Sequence, residues 1–246
     1  MSIEGLDAKT YELRIGKLAK LREKGIDPFG SRFNEKRISV STARSLVDEE
    51  AEKTARIAGR VSAIRMHGKS AFLDVSDITG KIQVYLRLND IGAENYEVVK
   101  MLDVGDIIGV EGKVGKTSTG EVTLFATHFV LLCKTLLTPP EKWHGLKDVE
   151  LRYRRRYVDL FSNPDVRQNF LKRTQVIKRI RHILDELGFV EVETPIMQPV
   201  AGGAEALPFV THHNALDMQL YLRIAPECYL KRLLVGGMGT VSYTHL

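Results

Sequence analysis

The sequence is poor in cysteine and contains no long apolar run. Its two cysteines, Cys133 and Cys228, lie far apart and form no C-x-x-C spacing. This arrangement argues against a disulfide framework and against a structural zinc site. No apolar segment is long enough to cross a bilayer, and residues 1–10 lack the apolar region of a secretory signal. We therefore expect a cytoplasmic protein that has no membrane contact and no bound metal.

Composition and charge leave the function open. The 246 residues are 43% hydrophobic and 27% charged, which is ordinary for a globular chain with one large or two modest domains. The net charge is +5 and the pI is about 9.1. These values fit a mildly basic protein with no charged partner, and they also fit a protein that binds a polyanion such as RNA.

Residues 7–25 predict an amphipathic helix. Asp7 is a suitable N-cap, and Gly25 and Pro28 mark the end of the helix. One side carries Tyr11, Ile15, Leu18 and Arg22, with Leu21 beside them. The opposite side carries the basic residues Lys9, Arg14, Lys17, Lys20 and Lys24. This basic side is interpreted either as a solvated face or as a contact with phosphate groups.

The next segment changes to the alternating pattern of β-strands. Turn signals separate five strand-like runs, and a short helical stretch at 93–102 lies between the third and fourth. The runs are 56–66, 71–76, 81–88, 106–114 and 121–132. This order is typical of an OB-fold barrel, which binds oligonucleotides on one sheet face. Protein contacts or oligosaccharide binding remain alternatives, because the fold alone does not decide function.

A stiff connection and a basic segment follow the predicted barrel. Thr138-Pro139-Pro140 favours an extended linker. The run Arg152–Tyr157 is dense in arginine and tyrosine. Its arginines are interpreted either as contacts to RNA phosphates or as partners of acidic groups in a subunit interface.

The last third of the chain predicts a long helix followed by short strands. Asn163 is a suitable N-cap, Pro164 a suitable first residue, and Gly188 a natural C′ residue. A strand at 189–193, a hairpin of 209–213 with 219–224, and a helix at 227–235 follow. The adjacent His212 and His213 point to opposite faces of a strand and have no suitably spaced third ligand, which argues against a metal site.

Several motifs in this region carry a family resemblance. The run Gly188–Pro195 after a long helix resembles motif 1 of class II aminoacyl-tRNA synthetases. The runs 201–204, 208–217 and 221–227, together with His144-Gly145-Leu146, resemble the lysine-specific branch, the lysyl-tRNA synthetases of bacterial type. The resemblance extends from about Ala55 to Gly239.

The resemblance implies a multidomain α+β architecture. An N-terminal OB-fold β-barrel would be followed by the incomplete start of a class II synthetase antiparallel-sheet catalytic domain. The implied division is an N-terminal helical extension at 1–54, an anticodon-binding OB-fold at 55–134, a linker with a basic helix at 135–162, and a truncated catalytic domain at 163–246.

The resemblance also implies an anticodon site on the barrel. Phe72 would stack on the central uridine, and Gln83 and Glu121 would bond its edges. Single-stranded RNA is commonly read in this way, by an aromatic ring together with polar groups. Burial in the core is the alternative for Phe72, and simple solvation is the alternative for Glu121. A buried, unpaired amide at Gln83 would be costly, which favours a binding role for that residue.

A lysine site and a dimer interface are implied in the second half. Gly203 and Ala204 belong to the loop expected to close over the amino acid, and Glu227 would hold the α-amino group. Alternatives are an ordinary turn for the loop and a favourable helix dipole for Glu227. Gly188 and Pro195 would lie at the interface of a homodimer.

The implied activity of the full-length protein is ATP-dependent attachment of L-lysine to tRNA(Lys) through a lysyl-adenylate, with ATP and Mg²⁺. The arginines of motifs 2 and 3 and the magnesium-binding acids do not occur in this chain, and residues 240–246 depart from the family pattern. We therefore expect a truncated or misread sequence with no catalytic residue of its own, which keeps anticodon binding and part of the lysine pocket. Leu207 and Cys228 also depart from the family pattern, and we expect them to tune the pocket or its packing.

Other functions are compatible with parts of this pattern. One is a non-catalytic OB-fold RNA-binding module with a degenerate synthetase-like segment. Aspartate and asparagine ligases share the layout, but the run 211–217 favours lysine. Relatives that lysylate a protein factor lack an N-terminal barrel, and this chain is predicted to have one.

Overall fold

The computed structural model describes residues 8–30, 32–33, 35–48, 53–140 and 146–242. Contacts divide the chain into two compact units, Met1–Asp148 and Val149–Leu246, and each is described by itself. The boundary falls inside the linker expected at 135–162, and the finer four-part division remains a prediction. The predicted cap Asp7, the pair His144-Gly145 and the tail 243–246 lie outside the described residues.

The first unit contains a closed five-stranded barrel. Around the barrel the strand order is β1-β2-β3-β5-β4, and β4 pairs with β1 to close it. All neighbouring pairs are antiparallel except β3 with β5, which are parallel. The strands are β1 (Thr54–His67), β2 (Ser70–Ser76), β3 (Lys81–Arg87), β4 (Ile107–Lys116) and β5 (Val122–Cys133). The predicted OB-fold barrel is confirmed, with strand ends that differ by a few residues.

Alternation along the strands separates the barrel core from its outer surface. On β3, Ile82, Val84 and Leu86 are fully buried, while Gln83 and Tyr85 between them are partly exposed. Period-two patterning of this kind places every second side chain inside. Every residue of the buried apolar cluster found in the structure belongs to the first unit. The barrel is therefore a well-packed scaffold for groups on its outer face.

In the described part of the first unit, four α-helices accompany the barrel. They are α1 (Ala8–Glu23), α2 (Val40–Ser45), α3 (Leu88–Ile91) and α4 (Ala93–Lys100). The helices α3 and α4 lie between β3 and β4, where a helical stretch was predicted. The Ser39 hydroxyl accepts a hydrogen bond from Thr42 N–H at 3.1 Å and thereby caps α2.

The predicted sides of α1 are partly wrong. The helix buries Arg14, Leu18 and Leu21, whereas Ile15 and Arg22 are exposed. Arg14 was assigned to the basic outer side, but its guanidinium donates hydrogen bonds to the carbonyl groups of three residues. These are Val104 at 3.2 Å, Thr135 at 3.0 Å and Leu137 at 3.3 Å. Backbone carbonyl groups from two distant segments thus pair with the Arg14 guanidinium, which the helical periodicity had placed on the outer side of α1.

A buried ion cluster lies where the chain leaves the barrel. We define the Lys134 ion cluster as Lys17, Asp103, Asp106 and Lys134. The Lys134 side chain is 0% exposed, and its Nζ lies 2.6 Å from Asp103 Oδ2 and 2.8 Å from Asp106 Oδ2. Lys17 Nζ contacts Asp103 Oδ1 at 2.6 Å. Burial raises the pKa of Asp103, but hydrogen bonds from Lys134 and Lys17 outweigh it and hold the pKa below its usual value.

The second unit combines helices with small sheets. The helices are α5 (Val149–Arg154), α6 (Arg156–Ser162), α7 (Pro164–Glu186) and α8 (Glu227–Val235). The strands are β6 (Val190–Glu191), β7 (Met197–Gln198), β8 (Val210–His213), β9 (Met218–Leu222) and β10 (Val241–Ser242). An antiparallel sheet has the order β7-β9-β8, and β6 pairs in parallel with β10. The long helix, the hairpin and the last helix agree with prediction, while β6 is shorter than the expected strand.

The basic segment folds around one aspartate. Asp159 is fully buried and accepts hydrogen bonds from Arg152 at 2.9 Å, from Arg156, and from Asn163 Nδ2 at 2.6 Å. Burial raises the pKa of Asp159, but these bonds and charges outweigh it and lower the pKa. Asn163 was expected to cap α7 with its side chain, and it does not. Arg152 and Arg156 are engaged within the chain, which neither interpretation of this segment anticipated.

No helix in the described ranges has both the length and the apolar character needed to cross a membrane.

Candidate nucleic-acid interface and amino-acid site

Strand register places two of the three predicted anticodon residues on one outer face of the barrel. Phe72 on β2 lies opposite Tyr85 on β3. Gln83, two residues before Tyr85, lies opposite Thr123 on β5. Since side chains two residues apart on a strand share a face, Phe72, Gln83 and Tyr85 all point away from the core. Phe72 is therefore not a core residue.

An aromatic row crosses this face. We define it as His67, Phe72, Tyr85 and Phe125. The centroids of the Phe72 and Tyr85 rings are 4.6 Å apart, with an interplanar angle of 34°. Tyr85 meets Phe125 at 5.9 Å and 76°, and His67 meets Phe72 at 6.0 Å and 75°. Phe72 was the only ring of this row predicted from the sequence, although the spacing of Tyr85 within β3 also indicates an outward ring.

Gln83 is held by its neighbour on β5. The Thr123 hydroxyl, which is buried, donates to Gln83 Oε1 at 2.9 Å. Thr123 Oγ1 also lies 3.1 Å from the carbonyl oxygen of Glu121. Among the described residues, no hydrogen-bond partner is found for Gln83 Nε2. The amide group is thus oriented with its oxygen occupied and its N–H groups available as donors.

Glu121 stands at the end of a turn, one residue before β5. Its N–H donates to Thr117 Oγ1 at 3.2 Å, and its carbonyl accepts from Thr117 N–H at 3.0 Å. Gly120 has a φ of +84°, a conformation that glycine adopts without strain. The Glu121 side chain is 50% exposed. Thr123, two residues after Glu121, is the register partner of Gln83. Glu121 therefore lies near Gln83, at the same edge of the outer face.

Arg44 on α2 lies beside Glu121. The Arg44 guanidinium is 3.7 Å from Glu121 Oε1, and it donates to the carbonyl oxygen of Lys81 at 2.9 Å. The N-terminal end of α2 is tied to the β2–β3 turn, since Val40 N–H donates to Asp77 Oδ2 at 2.9 Å. No sequence signal pointed to Arg44, because it lies outside the predicted barrel.

Charged groups surround the aromatic row. Asp74 on β2 accepts from Arg65 at 2.7 Å and from Lys81 at 3.2 Å. Burial raises the pKa of Asp74, but the hydrogen bonds and charges of Arg65 and Lys81 outweigh it, so that the pKa is lowered. The face therefore offers cations that an anionic backbone can approach and rings on which bases can stack.

In the second unit, the predicted amino-acid loop contacts the start of α8. Gly203 has a φ of +101°, and a Cβ at this position would lie 3.2 Å from the carbonyl oxygen of Ala225. The backbone conformation favours glycine, and a side chain here would press against the Ala225 carbonyl group. The structure thus brings Gly203 next to Ala225, two residues before Glu227. Ala204 and Leu207 are exposed, the latter at 99%.

Glu227 occupies the first turn of α8, as predicted. Its carboxylate accepts from Lys231 Nζ at 2.5 Å, and both side chains are exposed. The hydrogen bond and the charge of Lys231 hold the pKa of Glu227 below its usual value. The carboxylate is thus ionised at neutral pH and already holds an ammonium group. Cys228 beside it is exposed.

The two predicted interface residues lie at opposite ends of the segment after α7. Gly188 has a φ of +79° and donates its N–H to Asp185 O at 2.9 Å, which ends the helix. Pro195 is exposed. The preceding residue, Thr194, is buried, and its carbonyl and hydroxyl oxygens accept from Arg223 at 2.9 and 2.7 Å. This arrangement fixes the backbone next to Pro195.

The histidine pair has local partners in the hairpin. His212 Nε2 lies 3.2 Å from Asp217 Oδ1, and His213 Nδ1 accepts from Leu216 N–H at 3.2 Å. In the part of the chain that the structure describes, no group of three or more His, Cys, Asp or Glu side chains is arranged to hold a metal ion.

Comparison with known proteins agrees with this two-part layout. Residues 55–132 match the family described as "OB-fold nucleic acid binding domain". Residues 148–243 match "tRNA synthetases class II (D, K and N)". The chain is 54% identical to a lysine–tRNA ligase of Carboxydothermus hydrogenoformans over 94% of its length. The chain belongs to the class II lysine–tRNA ligase family.

Further relatives support this family membership. A lysine–tRNA ligase of Syntrophomonas wolfei is 54% identical over 94% of the chain, and one of Pelotomaculum thermopropionicum is 56% identical over 93%. The chain covers 47%, 46% and 45% of these three proteins, and so spans about half the length of the curated relatives that it matches.

Proposed function

We propose that the chain is the tRNA-recognising part of a lysine–tRNA ligase, joined to part of the lysine-binding site. The complete enzyme would attach L-lysine to tRNA(Lys) through a lysyl-adenylate. The observation that carries the proposal is that Phe72 and Gln83 share one outer face of the barrel, with Glu121 at its edge. Family membership supports lysine as the amino acid.

The three residues suit the chemistry of uracil. A base turned out of the anticodon loop would stack on Phe72, since stacking on a ring is a common mode of single-strand recognition. Gln83 Nε2 would donate to a uracil carbonyl oxygen, and the Glu121 carboxylate would accept the N3–H. Cytosine has no N3–H, so its N3 lone pair would face the carboxylate. Uridine is therefore preferred over cytidine at this position.

Lysine binding would use the contact between the loop and α8. The Glu227 carboxylate already pairs with the ammonium group of Lys231. The α-ammonium group of L-lysine has the same charge and the same donors, and it would replace Lys231 as partner. Gly203 allows the loop backbone to approach this region without a side chain in the way, and Ala204 extends the loop.

ATP and Mg²⁺ belong to the complete enzyme in this proposal. The described residues offer no set of carboxylates arranged for a metal ion, and the sequence contains no motif 2 or motif 3 arginine. The residues present therefore do not fit ATP and Mg²⁺, and we assign no chemical step to them here. We expect no lysine-dependent pyrophosphate exchange from the 246-residue chain.

A homodimer through the segment around α7 is also part of the proposal. Gly188 and Pro195 would lie at the interface. The apolar residues of α7 are uncovered in the single chain, with Val176 58% exposed and both Ile180 and Ile183 41% exposed. Burial of such a stripe against a second copy would remove it from water.

RNA binding by the full chain tests the proposal. An RNA hairpin carrying the tRNA(Lys) anticodon loop is titrated by fluorescence anisotropy, alongside a hairpin with cytidine at the central anticodon position. We expect the cytidine hairpin to bind at least about five-fold more weakly, as for loss of a paired polar group of about 1–3 kcal/mol.

Variants assign this preference to the proposed residues. Phe72→Leu should weaken binding of both hairpins, since it removes the stacking surface. Glu121→Gln should reduce the difference between them, because the amide can donate to the cytosine N3. The control is Phe29→Leu, which changes a ring that is 47% exposed outside the aromatic row. Equal binding of the uridine and cytidine hairpins would instead favour a general RNA-binding module.

A further inference from the structure

We propose that Phe125 is a second stacking platform, which takes the nucleobase adjacent to the one on Phe72, and that Tyr85 keeps the two bases apart. This inference rests on the proposed RNA-binding function of the barrel. It adds a second nucleotide subsite to the face that carries Phe72, Gln83 and Glu121.

Register aligns the three rings across the sheet. Phe72 pairs with Tyr85, and Tyr85 pairs with Phe125. Neighbouring strands are about 4.8 Å apart, so the backbones under Phe72 and Phe125 are separated by about 10 Å. A single-stranded segment that crosses the strands would therefore pass both rings in succession.

The orientation of Tyr85 separates the two outer rings. Tyr85 is tilted by 34° from Phe72 but by 76° from Phe125. Phe72 and Tyr85 thus form one inclined pair, while Phe125 presents a different plane. A base stacked on Phe72 cannot also stack on Phe125, so each platform serves its own base.

Phe125 is supported from below by a position without a side chain. A Cβ on Gly115 of β4 would lie 3.2 Å from Phe125 Cε2 and 3.7 Å from Cδ2. The edge of the Phe125 ring therefore lies over the Gly115 backbone, in space that the Cβ of another residue would partly occupy. The Phe125 side chain is partly exposed and does not belong to the buried apolar cluster. Its ring is thus held by the barrel without being needed in the core.

The two platforms differ in the polar groups around them. Gln83 lies two residues before Tyr85 on β3, and Glu121 lies in the turn that leads into β5; we have assigned both to the central uridine. Stacking on an aromatic ring alone accepts every base, because every base has a π-face. Phe125 should therefore contribute affinity at the neighbouring position with little selectivity for the base.

Abasic hairpins test the second platform. The anticodon-loop hairpin is prepared with an abasic site at each of the three anticodon positions, and each form is titrated against the full chain and its variants. Phe125→Leu should weaken binding of the intact hairpin by about five-fold or more, as expected for loss of one stacked base. One abasic hairpin, modified next to the central position, should bind wild type and Phe125→Leu equally well.

Further variants distinguish a role of the Phe125 ring in RNA binding from a role in folding. Phe125→Tyr keeps a ring and should bind within about two-fold of wild type. Gly115→Ala keeps Phe125 but makes its ring shift by a few tenths of an ångström, so it should weaken the intact hairpin less than Phe125→Leu does and leave the abasic one unchanged. If Phe125→Leu does not fold by circular dichroism, Gly115→Ala carries the same comparison. Phe29→Leu is the matched control away from the row.

Two results would overturn the inference. One is binding of the intact hairpin by Phe125→Leu within two-fold of wild type. The other is an equal loss of affinity by Phe125→Leu for every abasic hairpin, because a purely structural role of Phe125 would not depend on which base is missing. In both cases a normal response to Phe72→Leu would leave the proposed function intact. Binding that ignores Phe72 and the central base would instead contradict the proposed function itself.

Discussion

Replacement of Lys134 by methionine should strongly destabilise the barrel unit. The Lys134 side chain is 0% exposed, and its ammonium contacts Asp103 and Asp106 at 2.6 and 2.8 Å. Lys134→Met removes the charge from this buried ion pair with little change in volume. Breaking a buried pair in this way costs about 3–5 kcal/mol, because the remaining charge is left uncompensated.

The remaining contacts place this variant at the lower end of that range. Asp103 keeps Lys17 at 2.6 Å. Asp106 keeps hydrogen bonds from the Thr135 and Asp103 N–H groups at 2.7 and 2.8 Å. We therefore expect a loss of about 3 kcal/mol in the free energy of unfolding.

Urea unfolding of the full chain, followed by circular dichroism, measures the loss. With a slope of about 2 kcal/mol per molar urea, the midpoint should fall by about 1.5 M. The control is Lys100→Met, since Lys100 pairs with Glu97 at 2.6 Å but is 51% exposed. An exposed pair of this kind contributes at most about 0.5 kcal/mol. Equal midpoints for the two variants would refute the reasoning.

The pH dependence gives an independent check on the same variant. In wild type the pKa of Asp103 is lowered, so its stabilisation is present above about pH 3.9, the ordinary aspartate value, and is lost as pH falls through the folded pKa. Without Lys134, burial acts on Asp103 with one partner fewer, and its pKa rises. Protonation of Asp103 then relieves the variant first, so the stability difference between wild type and Lys134→Met should stay nearly constant from pH 7 to about pH 4 and shrink below it, as pH falls toward the folded pKa of the wild type.

Three further predictions concern the barrel and the amino-acid site. Gly112→Ala should lower the free energy of unfolding by about 1–3 kcal/mol, because its Cβ would lie 2.0 Å from Phe125 O. Thermal melts measure this loss. The control is Gly16→Ala on α1, whose Cβ meets nothing within 4 Å and which should stabilise the helix slightly. Arg44→Met should leave stability within about 1 kcal/mol but reduce the uridine preference about two-fold in anisotropy titrations, because Glu121 loses its partner at 3.7 Å; an unchanged preference would exclude a positioning role. Glu227→Gln should abolish any L-lysine binding that calorimetry detects for the full chain, and retained affinity would remove Glu227 from the site.

Local patterns were sufficient for the barrel strands, for the longer helices and for part of the site, but not for the short elements α2, β7 and β10. Alternation along β2 and β3 places Phe72 and Gln83 outside, because neighbouring side chains on a strand point to opposite faces. The turn at Gly188 and the start of α8 at Glu227 also follow from nearby residues, since glycine and proline restrict the backbone within a few positions. Family motifs added the roles expected of these residues, which periodicity alone does not contain.

Local patterns were least reliable for charged and polar residues. Arg14 was assigned to the outer side of α1, yet its guanidinium reaches carbonyl groups at Val104 and Thr135, which are about 90 and 121 residues away along the chain. Asn163 was expected to cap α7, but its side chain bonds Asp159 instead. The long arginine side chain reaches acceptors that only the tertiary fold brings near it. The asparagine side chain bonds a local acceptor, four residues earlier in the chain, which the expected N-cap did not indicate.

The sequence by itself determined the five strands of the barrel, the long helix and hairpin of the second unit, and the family to which the chain belongs. Only the tertiary structure decided that Phe125 follows Tyr85 in the aromatic row and that Arg44 lies beside Glu121. The physical reason is barrel closure, which pairs β3 in parallel with β5 and so joins residues about 40 positions apart. Register across such a pair is set by the packing of the whole barrel and not by the residues that it brings together.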